Sequence, residues 1–222
     1  NMTGGTISGV AFDWYDGWTS NPVLNTFASS TTSTISTDVA LRLSSDSNSL
    51  TFNVANGTTS NGIDMLVSGN IVKRTSPGHD GGGITKNGTG RLVLTGTNTY
   101  TGGTTINGGT LEIGGAGKLG SGSYAGAIAL NGTGSTLSYN STAAQTLSGT
   151  KSGNGSIIKN GSGTLTISGG ASSFSGVTTV NSGTLNIGVG SALSGGSLVI
   201  NSGATAFGNG GHNFDAGITS IC

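Results

Sequence analysis

Two stretches of this chain are versions of one another. "ITKNGTGRLVLTGTNTYTGGTTINGGTLEIG", residues 84–114, realigns with "IIKNGSGTLTISGGASSFSGVTTVNSGTLNIG", residues 157–188, through a single inserted residue. Lys86 falls on Lys159, Tyr100 on Phe174 and Leu111 on Leu185, at an offset of 73 residues before the insertion and 74 after it. Internal duplication at this scale implies stacked units, each burying its apolar face against its neighbours. Within and around the copies, "RLVLT", "TLEIG", "AIALN", "STLSY", "TLTIS", "TLNIG" and "SLVIN" alternate apolar with small polar residues, the period of a half-buried strand. Helical periodicity is absent, so the chain reads as all-β. Taking one inward residue per strand, Leu92, Leu111, Leu130, Leu147, Leu165, Leu185, Ile200 and Ile218 follow at steps of 19, 19, 17, 18, 20, 15 and 18. That spacing reads as nearly one coil of a solenoid per step, and the long offset as about four steps.

Composition agrees with a folded, uncharged rod. Gly supplies 44 of 222 residues, which suits tight corners needing positive φ, while 32% hydrophobic residues and only 7% charged ones argue against disorder. Eight basic and eight acidic side chains, scattered singly with net charge +0, leave no footprint for nucleic acid or anionic lipid. No apolar run is long enough for a membrane helix, and the start "NMTGGTISGV" lacks the regions of a signal peptide. Cys222 is the only cysteine, which excludes an internal disulfide; it reads either as a residue without a role at a truncation point or as an intermolecular bridge or attachment point.

"KNGTGRLVLTGTNTYTGGTTINGGTL" and "KNGSGTLTISGGASSFSGVTTVNSGTL" resemble the passenger-associated transport repeat, also called the autotransporter-associated β-strand repeat. In the first copy Lys86, Gly88, Gly90, Leu92, Leu94, Gly96, Asn98, Thr99, Tyr100, Thr101, Gly102, Gly103, Thr104, Thr105, Gly109, Thr110 and Leu111 fit the pattern; the second departs at residues 171–174 and at Val177. The resemblance implies a right-handed parallel β-helix in a bacterial surface or secreted protein, often adhesive or matrix-forming. The alternating strands and aromatic girdles of an outer-membrane barrel are not evident. The chain is therefore expected to be a passenger fragment or an exported protein that uses the repeat for architecture.

The organisation expected is one continuous elongated domain: residues 1–80 as an irregular N-terminal cap with the first β coils, and residues 81–222 as the repeat-containing β-helix. The aromatic cluster Phe12, Trp14, Tyr15 and Trp18 is assigned to capping, with partner binding by sugar stacking as its alternative. Tyr100 and Phe174 are expected to pack at corners.

No constellation for catalysis emerges. Asp13, Asp16, Asp38, Asp46, Asp64, Asp80, Glu112 and Asp215 are single residues, and Glu112 alternates outward from Leu111 and Ile113 as a solvated strand position. Ser76, His79 and Asp80 read as a polar turn, and His212 with Asp215 does not make a metal site. "GGAGKLGSG" fails as a phosphate loop because Leu119 follows Lys118. Seven Asn-x-Ser/Thr triplets begin at Asn1, Asn56, Asn87, Asn131, Asn140, Asn154 and Asn160. The sequence thus predicts a non-catalytic extracellular β-helix without cofactor or metal, structural or adhesive, whose partner is another copy of itself. Two alternatives stand: a filament subunit joined head to tail through open coil ends with Cys222 assisting, and a β-helix binding or cleaving host or matrix polysaccharide through Trp14 and Trp18.

Overall fold

The alternation of apolar and small residues produces a three-sided parallel β-solenoid, seen in a computed structural model that describes residues 1–9, 12–13, 22–41, 48–73, 82–169, 172–188, 193, 195–208 and 218–221. Every strand pairing is parallel. Face 1 is a seven-stranded sheet of Val23–Thr26, Ser49–Val54, Gly83–Asn87, Thr104–Ile106, Ile128–Leu130, Lys151–Gly153 and Ser173–Phe174. Face 2 is a ten-stranded sheet running from Gly5–Ile7 through Ser33–Ile35, Met65–Val67, Arg91–Leu94, Gly109–Gly115, Ser135–Ser141, Ser156–Lys159, Val177–Val180 and Ser197–Ile200 to Ile218–Ile221. Face 3 consists of three shorter sheets, including the two-stranded Thr97–Asn98 with Lys118–Leu119 and the five-stranded set that contains Gln145–Leu147 and Thr164–Ile167. From Val23 to Ile187 the chain visits faces 1, 2 and 3 in that order in each coil; the described strands after Ile187 belong to faces 2 and 3. Residues before Gly83 contribute strands to all three faces, so they continue the same stack.

Inward side chains from the three faces fill one axial core. Leu92, Leu94, Leu111, Leu130, Leu165 and Leu185 are fully buried. Outward positions carry mostly Thr, Ser and Asn, whose small or branched side chains suit a pleated surface. Glycine is obligatory where coils touch at corners: Gly88 has φ +80°, and a Cβ there would strike the Val54 carbonyl, while at Gly176 it would strike the Gly155 carbonyl. Among the described residues no helix is long and apolar enough to cross a membrane.

The coil length corrects the expected one. On face 2, Leu92 pairs with Leu111, Leu111 with Leu137, Leu137 with Ile157, Ile157 with Thr178 and Thr178 with Leu198, so successive coils take 19, 26, 20, 21 and 20 residues. Leu130 belongs to face 1, and Leu147, Leu165 and Leu185 to face 3. Most strands on all three faces carry an inward aliphatic residue, so a regular series can be threaded through the sequence while crossing from face to face.

The two repeat copies therefore do not sit above one another. Lys86 is the last residue but one of a face 1 strand, whereas Lys159 ends a face 2 strand. Following face 1 upward from Lys86, the partners are Ile106, Leu130 and Gly153, three coils on, and Lys159 lies on the next side. The second copy is thus three coils and a third of a turn from the first.

Candidate functional site

Three lysines are buried inside this apolar tube, and each serves a different corner. Lys86 Nζ donates to the carbonyls of Asn87 (3.0 Å) and Gly88 (2.9 Å) in its own corner between faces 1 and 2, and to Gly108 (3.1 Å) in the same corner one coil on. Lys159 does the same between faces 2 and 3, donating to Gly161 and to Ser182 (3.0 Å), with its ammonium 5.8 Å from the Tyr139 ring centroid. Lys151 closes the corner between faces 3 and 1 through Leu147 (3.2 Å), Gly149 (2.7 Å) and Ser168. Tight corners leave carbonyls without a ladder partner, and one amine gathers those of two coils at once. Burial lowers the Lys86 amine to about 8, the attraction of Asp64 partly opposing, and lowers Lys151 to about 8 and Lys159 in the same direction.

Side-chain amides form a second set of links. On the surface a ladder climbs face 1: Asn25 donates to Asn1 (3.0 Å), Asn53 to Asn25 (2.7 Å), Asn87 to Asn53 (2.9 Å), Asn107 to Asn87 (2.8 Å) and Asn131 to Asn107 (2.8 Å). Face 2 carries another, Asn181 to Asn160 (2.7 Å) and Asn201 to Asn181 (2.5 Å). Asn160 and Asn181 are the repeat counterparts of Asn87 and Asn107, so the ladder turned with the repeat. Inside, amides stand in for peptide groups where face 3 is broken into short sheets. Asn98 Oδ1 accepts from Ile71 N–H (2.9 Å), while Gln145 accepts from Leu119 N–H (2.7 Å) and donates to Leu119 carbonyl (3.0 Å).

Tyr100 is a fully buried corner residue as expected, and it belongs to a hydroxyl network. Thr104 Oγ1 lies 2.9 Å from Tyr100 OH and 2.8 Å from Tyr124 OH, Tyr124 donates onward to Gly102 carbonyl, and the two rings meet edge to face at 5.5 Å. Burial pushes both phenols up, Tyr100 well above its ordinary value and Tyr124 to about 12. In the second copy Phe174 replaces the tyrosine and is equally buried. There Thr178, the counterpart of Thr104, is buried with a hydroxyl that has no partner.

The described carboxylates are committed to the fold. Asp38 accepts from the Asn70 backbone (2.9 Å) and side chain (3.0 Å), and Asp64 from the backbone N–H groups of Gly57 and Arg91 (both 2.7 Å). Glu112 corrects an expectation. It is 5% exposed rather than solvated, paired with Arg91 at 2.7 Å and approached by Ser138 and Asn140, both at 3.2 Å. Arg91 from the strand below and Ser138 and Asn140 from the strand above close over an outward position that alternation alone leaves open. Among the described residues no three His, Cys, Asp or Glu gather as a metal site.

Of the partner-binding candidates, Phe12 lies in a strand paired with Val39–Leu41, with only its backbone described. Trp14, Tyr15, Trp18 and Cys222 lie outside the described residues, as do Asp16, Asp46, Ser76, His79, Asp80, His212 and Asp215. The sequence reading missed the buried lysines. Lys86 and Lys159 were visible as matched repeat positions, yet nothing in a lone Lys151 signals burial.

The family model of the passenger-associated transport repeat matches residues 84–113 and 157–187. The chain carries two copies of this repeat, which implies an autotransporter passenger-type β-helix and points to a secreted or surface passenger. No match was found among curated proteins or among solved structures.

Proposed function

We propose that this chain is a non-catalytic, rigid extracellular element that works mechanically and by self-association. The observation that carries this reading is the use of its polar groups: lysines at all three corners, amide ladders and the three described carboxylates all tie coil to coil or loop to coil. Groups so engaged face neighbouring backbone of the fold instead of an external substrate. Uncharged faces of Thr, Ser and Asn on a chain of net charge +0 lack the repulsion that keeps proteins apart.

Two measurements test it together. Light scattering over a concentration series should show reversible association, and panels of polysaccharide and peptide substrates should show no turnover. A chain that stays monomeric throughout, or a hydrolytic activity abolished by Glu112→Gln, would overturn the reading.

A further inference from the structure

Seven Asn-Gly steps lie among the described residues, at Asn56, Asn61, Asn87, Asn107, Asn131, Asn154 and Asn160. Glycine leaves the following amide nitrogen unshielded, so that nitrogen can close on the side-chain carbon of the asparagine. In six of the seven the fold occupies that side chain. Asn87, Asn107, Asn131 and Asn160 are in the ladders, Asn154 accepts from Gly132 N–H, and Asn61 from Ile63 N–H and the Thr32 hydroxyl.

Asn56 differs. It is exposed, its side chain makes no hydrogen bond among the described residues, and it lines an open groove of about 520 Å³ with Ala28, Ser29, Ser30, Gly57 and Thr58. The groove exists because the corner between faces 1 and 2 takes residues 27–32 and 55–64 in these coils but only 88–90 in the first repeat. Beneath it, Gly57 N–H donates to Asp64 Oδ1 at 2.7 Å. Asp64 is buried and held from its other oxygen by Arg91 N–H at 2.7 Å. Gly57 is fixed too, since a Cβ there would strike the Ser29 carbonyl. A clamped carboxylate thus rests on the proton that must leave for the ring to close.

We propose that Asn56–Gly57 is a self-modifying site, with Asp64 as the general base for succinimide formation. Asp64 takes the Gly57 amide proton as the nitrogen bonds to Asn56 Cγ. The Cγ–Nδ2 bond then breaks, and ammonia departs with the proton returned by Asp64. Water from the groove opens the ring at either carbonyl, giving aspartate or isoaspartate with no change of oxidation state. The product places a new carboxylate in a groove lined by neutral side chains.

Peptide mapping of the intact chain aged at neutral pH, folded and in urea, tests this. In the folded chain Asn56 should convert at least about tenfold faster than Asn87 or Asn107, and Asp64→Asn should slow it by about 100-fold, the lower reach of general-base catalysis. In urea the sites should converge. Among the described residues the charged neighbours of Asp64 are Lys86, which it attracts, and Arg91, whose guanidinium is turned to Glu112. Because the proton acceptor is a side chain of the fold and not hydroxide, the folded-state rate at Asn56 should stay level between about pH 6 and 8, whereas urea-exposed sites should accelerate with hydroxide. Conversion of Asn56 no faster than Asn87, or a folded-state rate that climbs with hydroxide, would overturn the proposal; the pH profile of the unaltered chain decides it even where Asp64→Asn does not fold.

Discussion

At the position shared by Thr104 and Thr178, one repeat satisfies a buried hydroxyl and the other does not. A single substitution should therefore act with opposite sign in the two copies. Thr178→Val removes an unpaired hydroxyl at nearly constant shape and should raise stability by about 1 kcal/mol, whereas Thr104→Val strips partners from Tyr100 and Tyr124 and should lower it by about 1–2 kcal/mol, read from urea midpoints. Equal signs would mean that Thr178 finds a partner after all. The lysines give a prediction in pH. Their ordinary value is 10.5, and burial brings Lys86 and Lys151 to about 8. Between those values the unfolded chain holds protons that the folded chain has released, so stability rises with pH across that window and gains nothing below it. Above about 10 the raised phenols reverse the slope, because unfolded tyrosine loses a proton that Tyr100 and Tyr124 keep. Calorimetry should find the Tm climbing from pH 8 to 10 and then turning over; a steady fall from pH 8 would refute the burial of these amines. Little of this was legible in the sequence. Lys86 and Lys159 stood out only as matched letters, because the carbonyls that hold them come partly from their own corner and partly from the corner of the next coil.

Strands and corners are where the sequence spoke most clearly. Alternation in "RLVLT" and "TLEIG" placed Leu92, Leu94, Leu111 and Ile113 inward correctly, since that period is a property of the strand itself. Glu112 escaped it, because its burial depends on which residues the register sets above and below, Ser138 and Arg91 among them. The asparagine ladder is likewise a register effect: its rungs come from separate strands and corners and meet only when coils stack. Its contribution can be counted by position. Asn107 both donates and accepts, while Asn131 only donates. Asn107→Ala should cost roughly twice what Asn131→Ala costs, at about 0.5–1 kcal/mol per bond in equilibrium unfolding. Equal costs would mean that the rungs hold no more than their own corners.

For the whole molecule, the sequence made the solenoid legible through its duplication but concealed the number of sides, because all three carry similar strands. The third-of-a-turn displacement between copies shows that a strand sequence is not tied to one face: "IIKN" on face 2 does what "ITKN" does on face 1. Excision of residues 84–156, joining Gly83 to Ile157, removes 73 residues and leaves 222 − 73 = 149. All that follows must then swing round by one side and pair with Ser49–Val54. We expect the shortened chain to keep a β-sheet circular dichroism spectrum and a single thermal transition; an unfolded or aggregated product would show that the sides are not interchangeable. The displacement also bears on how such a chain can change over time. A duplication or deletion in its gene need not respect whole turns to stay in frame with the structure. Any segment that spans a whole number of sides will splice in, and whatever surface it carries is dealt out around the axis instead of accumulating along one line.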